Sequence, residues 1–490
     1  MDDLGDRKGK RSRIRETDVC LVRQPLTYRH TFPAEETTVF RRRGHRSCKI
    51  NLRQTQKSNV WRTKGGVELS KVCLPLTNDS SRLAQQMAHA LDNLNLCYSW
   101  YAYIPYQLHP HRDNSLDAVA RAVVCAHECS INDSEANRRK RMLYYLRALE
   151  LVREHLSTSD EILLCCAMLA LFENLAGSPI PTVFQHIGGI EAIMEARARA
   201  SERQTSELAR SIIHATSNER FRIACALGVP SPFEGAGWLD LEPASRNSSL
   251  SPAASRLRKL VHQLWTRLPR LLVQVRSCRE HVQLAGPLIE NAVAHARELS
   301  QLQDKIAEDE VLHQIRIVST LDQSYRAIMS VSYEFPSLED MEAAVLYWQA
   351  RLILIELCAT LDKLRETAIF PLHDSSTDLI DVSADQTRLV ANLIMSWQAL
   401  VAADVLRKEM TQCFVVLWGA IADMEIFRGK PVFLVRSYIL ERFRSVSPEA
   451  SLGSHAALMD ESSDYLAGGL RLGVLRGVFE DLNGNTISRG

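Results

Sequence analysis

The sequence predicts an all-α protein: a large multi-helix domain preceded by a basic, mostly disordered arm. Three observations predict it. Beyond residue 78, apolar side chains recur three and four apart, the spacing of one helix face. Strand signatures are nearly missing, and the single Asn-Gly pair, Asn483-Gly484, falls in the C-terminal tail. Finally, 46% of the 490 residues are hydrophobic, enough for a large core, which excludes global disorder.

The arm occupies residues 1–77. Its first 66 residues carry 17 Lys/Arg against 7 Asp/Glu, a balance of +10, whereas the chain as a whole is only +1. The rest is therefore mildly acidic, at −9. Two basic knots stand out, Arg7-Lys8-Gly9-Lys10-Arg11-Ser12-Arg13-Ile14-Arg15 and Arg41-Arg42-Arg43-Gly44-His45-Arg46-Ser47-Cys48-Lys49. Such runs suit nuclear import or contact with phosphates, where each Lys or Arg releases a counterion.

Helical periodicity starts near residue 78, with Leu83, Met87, Leu91 and Leu94 behind an Asn78-Asp79-Ser80 cap. A second helix is expected over 134–155, with Met142, Leu143, Leu146, Leu149 and Val152 inward and Arg138 to Arg141 in water. Thr158 and Glu161 fit a capping box ahead of the apolar run Ile162–Phe172, which Gly177 and Pro179 then end. Ser337, with Glu339 and Asp340 in the first turn, starts a helix through Val345, Leu346, Trp348, Leu352, Ile355 and Leu361. Ser383 and Gln386 repeat the capping-box pattern before Leu389, Leu393, Ile394 and Trp397. Loops are expected at 246–252, which could divide two helical halves, at 373–377 and at 446–455. The helical domain spans 78–480, followed by a tail, 481–490.

The longest uninterrupted apolar run is 11 residues, short of the roughly 20 that span a bilayer, so no membrane partner is expected. The first residues hold no apolar leader-like segment. Twelve cysteines, most in apolar surroundings and none in a Cys-x-x-Cys pair, read as reduced buried thiols.

A search for chemistry returns no catalytic constellation, so the chain is not read as an enzyme. Asp2-Asp3-Leu4-Gly5-Asp6 spells an aspartate-rich string, but magnesium needs oxygens on a rigid wall. His127-Glu128-Cys129 lacks a second histidine four residues on, where Ile131 stands, and Cys125 and His127 point to different helix faces. His109-Pro110-His111 has no carboxylate nearby in sequence. Gly468-Gly469-Leu470-Arg471-Leu472-Gly473 lacks phosphate-loop spacing, and Met424 stands where a loop before Gly429-Lys430 needs glycine.

Four segments carry a family resemblance. Gln185-His186-Ile187-Gly188-Gly189-Ile190-Glu191-Ala192-Ile193-Met194 resembles a His-x-Gly-Gly helix start in the regulatory domain of fungal-specific transcription factors, which usually follows a zinc binuclear cluster. Leu227-Gly228-Val229-Pro230-Ser231-Pro232-Phe233-Glu234 with Trp238-Leu239 is similar to that family's Pro-Ser-Pro-Phe loop. Tyr333-Glu334-Phe335-Pro336-Ser337 leading to Tyr347-Trp348 and Leu352 is similar to its later helix, and Asp160–Leu171 to its upstream apolar helix. The resemblance covers roughly residues 80–480. Its motif residues, His186, Gly188, Gly189, Pro230, Pro232, Phe233, Trp238 and Trp348, read as architecture. The glycines would let a helix start pack closely, Pro230 and Pro232 fix a turn, and Phe233 and Trp238 plug it. His186 reads as a satisfied cap or core residue.

The resemblance implies a nuclear transcriptional regulator, plausibly of a secondary-metabolite gene cluster. Its partners would be promoter DNA, coregulators, and a second copy or related chain as dimer partner. The import or phosphate-contact residues would be Arg7, Lys8, Lys10, Arg11, Arg13, Arg15, Arg41, Arg42, Arg43, Arg46 and Lys49. The family's cofactor would be zinc, held by six closely spaced cysteines. Only Cys20, Cys48 and Cys73 precede the helical domain, 28 and 25 residues apart, too few and too dispersed for two tetrahedral ions, so no cofactor is expected. The alternative is an interaction or scaffold paralogue that does not bind DNA.

Overall fold

The computed structural model describes residues 79–469, apart from 94–98, 109–114, 179, 201–204, 236, 244–249, 282–285, 368–381, 403–406, 428 and 447–451. These all lie in one compact unit, Val60–Gly490. The arm at 1–77, both its basic knots, Cys20, Cys48, Cys73, the aspartate string, His109-Pro110-His111, the 373–377 loop and the 481–490 tail fall outside the described residues.

Within them the architecture is all-α, built as two hydrophobic cores. The first is formed by α1 (Asp79–Asn93), a 3-10 turn (Ser99–Tyr103), α2 (Ile104–Gln107), α3 (Ser115–Ile131), α4 (Glu135–Glu154), α5 (Asp160–Ala176), α6 (Ile180–Arg199) and α7 (Glu207–Ala215). Helix α8 (Ser217–Leu227) bridges the cores: Ile223 belongs to the first, Phe221 and Cys225 to the second. A 3-10 turn at Pro232–Glu234 follows.

The second core lies within the part of the chain made of α9 (Pro252–Glu280), α10 (Gly286–Ser300), α11 (Lys305–Gln314), β1 (Arg316–Ser319), α12 (Gln323–Arg326), β2 (Val331–Glu334), α13 (Leu338–Thr367), α14 (Val382–Ala402), α15 (Arg407–Ala420), β3 (Ile426–Phe427), β4 (Lys430–Pro431), α16 (Val432–Val446) and α17 (Leu452–Leu466), with β1 and β4 at its surface. The change of core thus falls near the loop expected at 246–252, except that α8 reaches across it.

Helix α13 is the axis of the second core. Its apolar residues run nearly all round it, as a helix enclosed by others requires, and Val345, Leu346, Trp348, Leu352, Ile355 and Leu361 are all buried. It is the one helix among the described residues long and apolar enough to cross a bilayer, and 89% of its apolar window is buried inside the fold. Its start is as expected, with Ser337 Oγ accepting from Asp340 N at 3.0 Å.

Several local expectations are corrected. On α4, Met142, Leu143 and Leu146 are 52%, 67% and 55% exposed. The helix instead buries Ala148, Leu151 and Val152, with Tyr144, Tyr145 and Leu149 half-buried beside them. Two apolar stripes overlap on this helix, and small Ala148 lets it approach the alanine-rich face of α3. The cap of α5 is Ser159, whose Oγ accepts from Ile162 N at 3.3 Å, so the Thr158–Glu161 box does not form. The Thr158 carbonyl is instead bound by Arg197 Nε at 2.6 Å. Gly177 ends α5 as expected, in the left-handed conformation.

Ser383 lies inside α14 rather than ahead of it, and the Gln386 amide donates to Glu356 Oε1 and the Ala420 carbonyl, both at 2.8 Å, so Gln386 serves tertiary bonds. Tyr333 and Glu334 lie in a strand: β1 and β2 pair antiparallel, with Ile317 opposite Tyr333. Of the loop expected at 446–455, residues from Leu452 onward belong to α17, where His455 is buried. All eight described cysteines are free and buried.

Candidate functional site

The motif residues fall into three separate places. In the first core, His186 on α6 lies beside Glu173 near the end of α5. His186 Nε2 is 3.5 Å from Glu173 Oε1 and 3.3 Å from the hydroxyl of Tyr145, and that hydroxyl donates to the same carboxylate oxygen. Phe172 stacks on Tyr145, with centroids 4.4 Å apart. Burial alone would raise the Glu173 carboxyl. Hydrogen bonds from His186, Ser178 and Tyr145 outweigh it and hold the group below its usual value. His186 is thus a partnered core histidine. Gly188 and Gly189 lie in the middle of α6 rather than at its start. Gly189 does allow close packing, because a β-carbon there would sit 3.3 Å from Cys166 Sγ.

The second place is the junction of the cores. Ser231 Oγ accepts from Phe233 N, which closes the turn between Pro230 and Pro232 and drives the Phe233 ring fully inward. Trp238 meets that ring edge-on at 5.4 Å. The plug continues into polar residues from α7, α8 and α9. The Arg220 guanidinium lies 4.3 Å from the Phe233 centroid and donates from Nη2 to the Ile213 carbonyl at 2.8 Å, whereas Nε and Nη1 find no hydrogen-bond partner. His262 Nε2 donates to the Trp238 carbonyl at 2.9 Å, and His214 Nε2 donates to that of Leu241 at 3.0 Å. The two imidazoles are 4.7 Å apart.

The ionisation of this junction follows from its dryness. Burial, then the charge of Arg220, pushes His262 down to about 3. Burial, then His262 and Arg258, also lowers His214. Burial lowers Arg220 to about 10, against the pull of Glu191 and Glu219, and raises Glu191 to about 7. Both histidines are therefore neutral donors: His262 ties the segment after the 3-10 turn to α9, and His214 ties it to α7.

That state predicts an acid sensitivity. The unfolded chain takes a proton on His262 near pH 6.5, whereas the folded chain does not until about 3, so stability falls as pH drops through that window. His262→Gln keeps a donor for the Trp238 carbonyl but does not titrate. Between pH 6.5 and 4.5 it is expected to lose about 2 kcal/mol less stability than the wild type. Urea denaturation at the two pH values checks this, and equal losses in both proteins refute it.

The third place holds Trp348, buried on α13. Its Nε1 donates to Glu308 Oε1 at 2.8 Å, and Arg388 from α14 binds the same oxygen.

No family model, no curated protein and no solved structure matches this chain.

A further open feature lies between α1, α3 and α4. A cleft of roughly 210 Å³ is lined by Arg82, Leu83 and Gln86 of α1, Arg121, Val124, Cys125 and Glu128 of α3, and Lys140 and Tyr144 of α4. Lys140 Nζ reaches Glu128 Oε2 at 3.3 Å, which leaves that carboxylate neutralised. Burial raises the Cys125 thiol, against the lowering effect of Lys140. No group of three metal-ligating side chains occurs among the described residues, and His127 lies buried on α3. Sequence reasoning missed the cleft, because no single stretch of sequence shows three helices bringing their cations together.

Proposed function

We infer that the chain is a nuclear transcriptional regulator of the fungal-specific type, acting on a secondary-metabolite gene cluster. Its helical body would serve as the regulatory and dimerisation part, and its basic arm would supply import and phosphate contact. The observation that carries this reading is the segregation of charge, +10 over residues 1–66 against −9 over the rest, ahead of four motifs in family order. The motif residues act in the body as bolts and plugs, which suits a regulatory scaffold better than an active site. A second reading has its own support: three scattered cysteines cannot form the binuclear zinc cluster, and this favours an interaction paralogue recruited to promoters by a partner.

The test follows the full-length chain in cells and in solution. Replacing Arg7, Lys8, Lys10, Arg11, Arg13 and Arg15 by glutamine is expected to lower nuclear accumulation. Affinity for promoter duplex should fall with salt, with a log–log slope of about −0.9 per phosphate contact. A nuclear chain that occupies promoters but binds no duplex at low salt selects the second reading. A chain that stays out of the nucleus, and whose deletion changes no transcript, overturns both.

A further inference from the structure

We propose that the cleft between α1, α3 and α4 binds a small organic anion, with its carboxylate or phosphate held by Arg82 and Arg121 and its apolar part resting on Leu83 and Val124. This stands whether or not the chain acts at promoters.

Charge carries the first step. Three cations line the cleft against one carboxylate, and that carboxylate is already bound by Lys140. Arg82 and Arg121 have no ion pair among the described residues. Other arginines of the first core are engaged: on α4, Arg138 pairs with Asp133 at 2.7 Å, Arg139 with Glu135 at 3.7 Å and Arg147 with Glu150 at 2.7 Å. In a body that is net acidic, two guanidinium groups with no ion pair among the described residues stand on the wall of one cleft and form a place prepared for a foreign anion. Their planar forks match carboxylate and phosphate oxygens in pairs.

Shape and chemistry narrow the class. Leu83 and Val124 are buried in the first core and show only their edges to the cleft. Gln86 and Tyr144 add an amide and a phenol to the walls. The cleft has more room than a bare inorganic ion fills, and those apolar edges have nothing to offer a fully hydrated one. A molecule with one anionic end and a compact apolar or aromatic body uses every wall. Bound there, it would tie Arg82 of α1 to Arg121 of α3 and so stabilise the edge of the first core.

The test uses the full-length protein and a matched pair of probes, 4-phenylbutyrate and its uncharged amide, with inorganic phosphate as a third. Calorimetric titration is expected to give one saturable site for the acid, about tenfold or more tighter than for the amide. Arg121→Gln should weaken the acid by a similar factor. Arg82→Gln, a change at an exposed position that leaves folding intact, should do the same and keeps the test decisive if the first variant is unstable. Glutamine replacement of the arm residues Arg7, Lys8, Lys10 and Arg11 should leave the binding unchanged, which separates this cleft from the basic arm. The proposal is overturned by any of three results. These are no saturation with any probe in the millimolar range, binding that survives both cleft variants, and a short DNA duplex that displaces the acid through Arg82 and Arg121.

Discussion

Replacing Glu308 by alanine is expected to destabilise the second core by about 3 kcal/mol. Its carboxylate is almost fully buried and serves two donors at once, Trp348 Nε1 at 2.8 Å and the guanidinium of Arg388. Arg388 also reaches Asp385 at 3.1 Å, and Asp385 lies 3.8 Å from Arg351, whose Nη1 donates to the Ser300 carbonyl at 3.2 Å. The network thus joins α10, α11, α13 and α14. Alanine leaves the buried indole N–H without an acceptor, at about 1–3 kcal/mol, and removes a charge-assisted bond on top of that. Arg388 is 39% exposed and can turn to water, which keeps the total below that of a fully enclosed pair. Glu308→Gln retains an acceptor for the indole, so it is expected to cost about half as much. Urea unfolding followed by tryptophan fluorescence measures both variants. Equal, small losses would mean that apolar packing alone holds Trp348.

What the sequence could express about this fold is what lies close along the chain. Ser337 caps α13 because the hydroxyl and the amide it serves are three residues apart, and Gly177 ends α5 for an equally local reason. The all-α class followed from periodicity in the same way. The misreadings share a cause as well. On α4 the sequence holds two apolar stripes, and only packing against α3 chooses Ala148 and Leu151 over Met142 and Leu143. Gln386 fits a capping box by its spacing, but its amide serves an acceptor on α13 and another on α15. Strands β1 and β2 span four residues each, too short for an alternating pattern to register. The plugs Phe233 and Trp238 were legible as aromatic residues in a proline-fixed turn. Their partners Arg220 and His262 were not, because each arrives from a different helix. The same holds for the cleft, whose cations at 82, 121 and 140 meet only in three dimensions.

Gly468→Ala is expected to cost about 2–4 kcal/mol, from two sources that can be measured apart. The residue sits at φ +89° just past α17, where Gly468 N donates to the Tyr465 carbonyl and Gly469 N to that of Asp464, closing the helix end. This end is anchored from three sides. Arg276 of α9 stacks on Tyr465, 3.7 Å from the ring centroid, the Tyr465 hydroxyl donates to the Cys225 carbonyl of α8, and Thr360 of α13 donates to the Ala467 carbonyl at 3.1 Å. A β-carbon at 468 would overlap Val275 Cγ1 and lie 3.1 Å from Val275 Cβ. Gly177 provides the control. It has a comparable left-handed conformation, φ +68°, but nothing lies within 4 Å of a β-carbon there. Gly177→Ala therefore reports the backbone cost alone, about 1–2 kcal/mol, and the excess at 468 reports the collision with Val275. The collision should be relieved in Gly468→Ala/Val275→Ala, so that the double variant is more stable than the two single losses add up to, by about 1 kcal/mol. Strict additivity in denaturant unfolding would place the whole cost in the backbone and would mean that α17 can shift away from α9 without penalty.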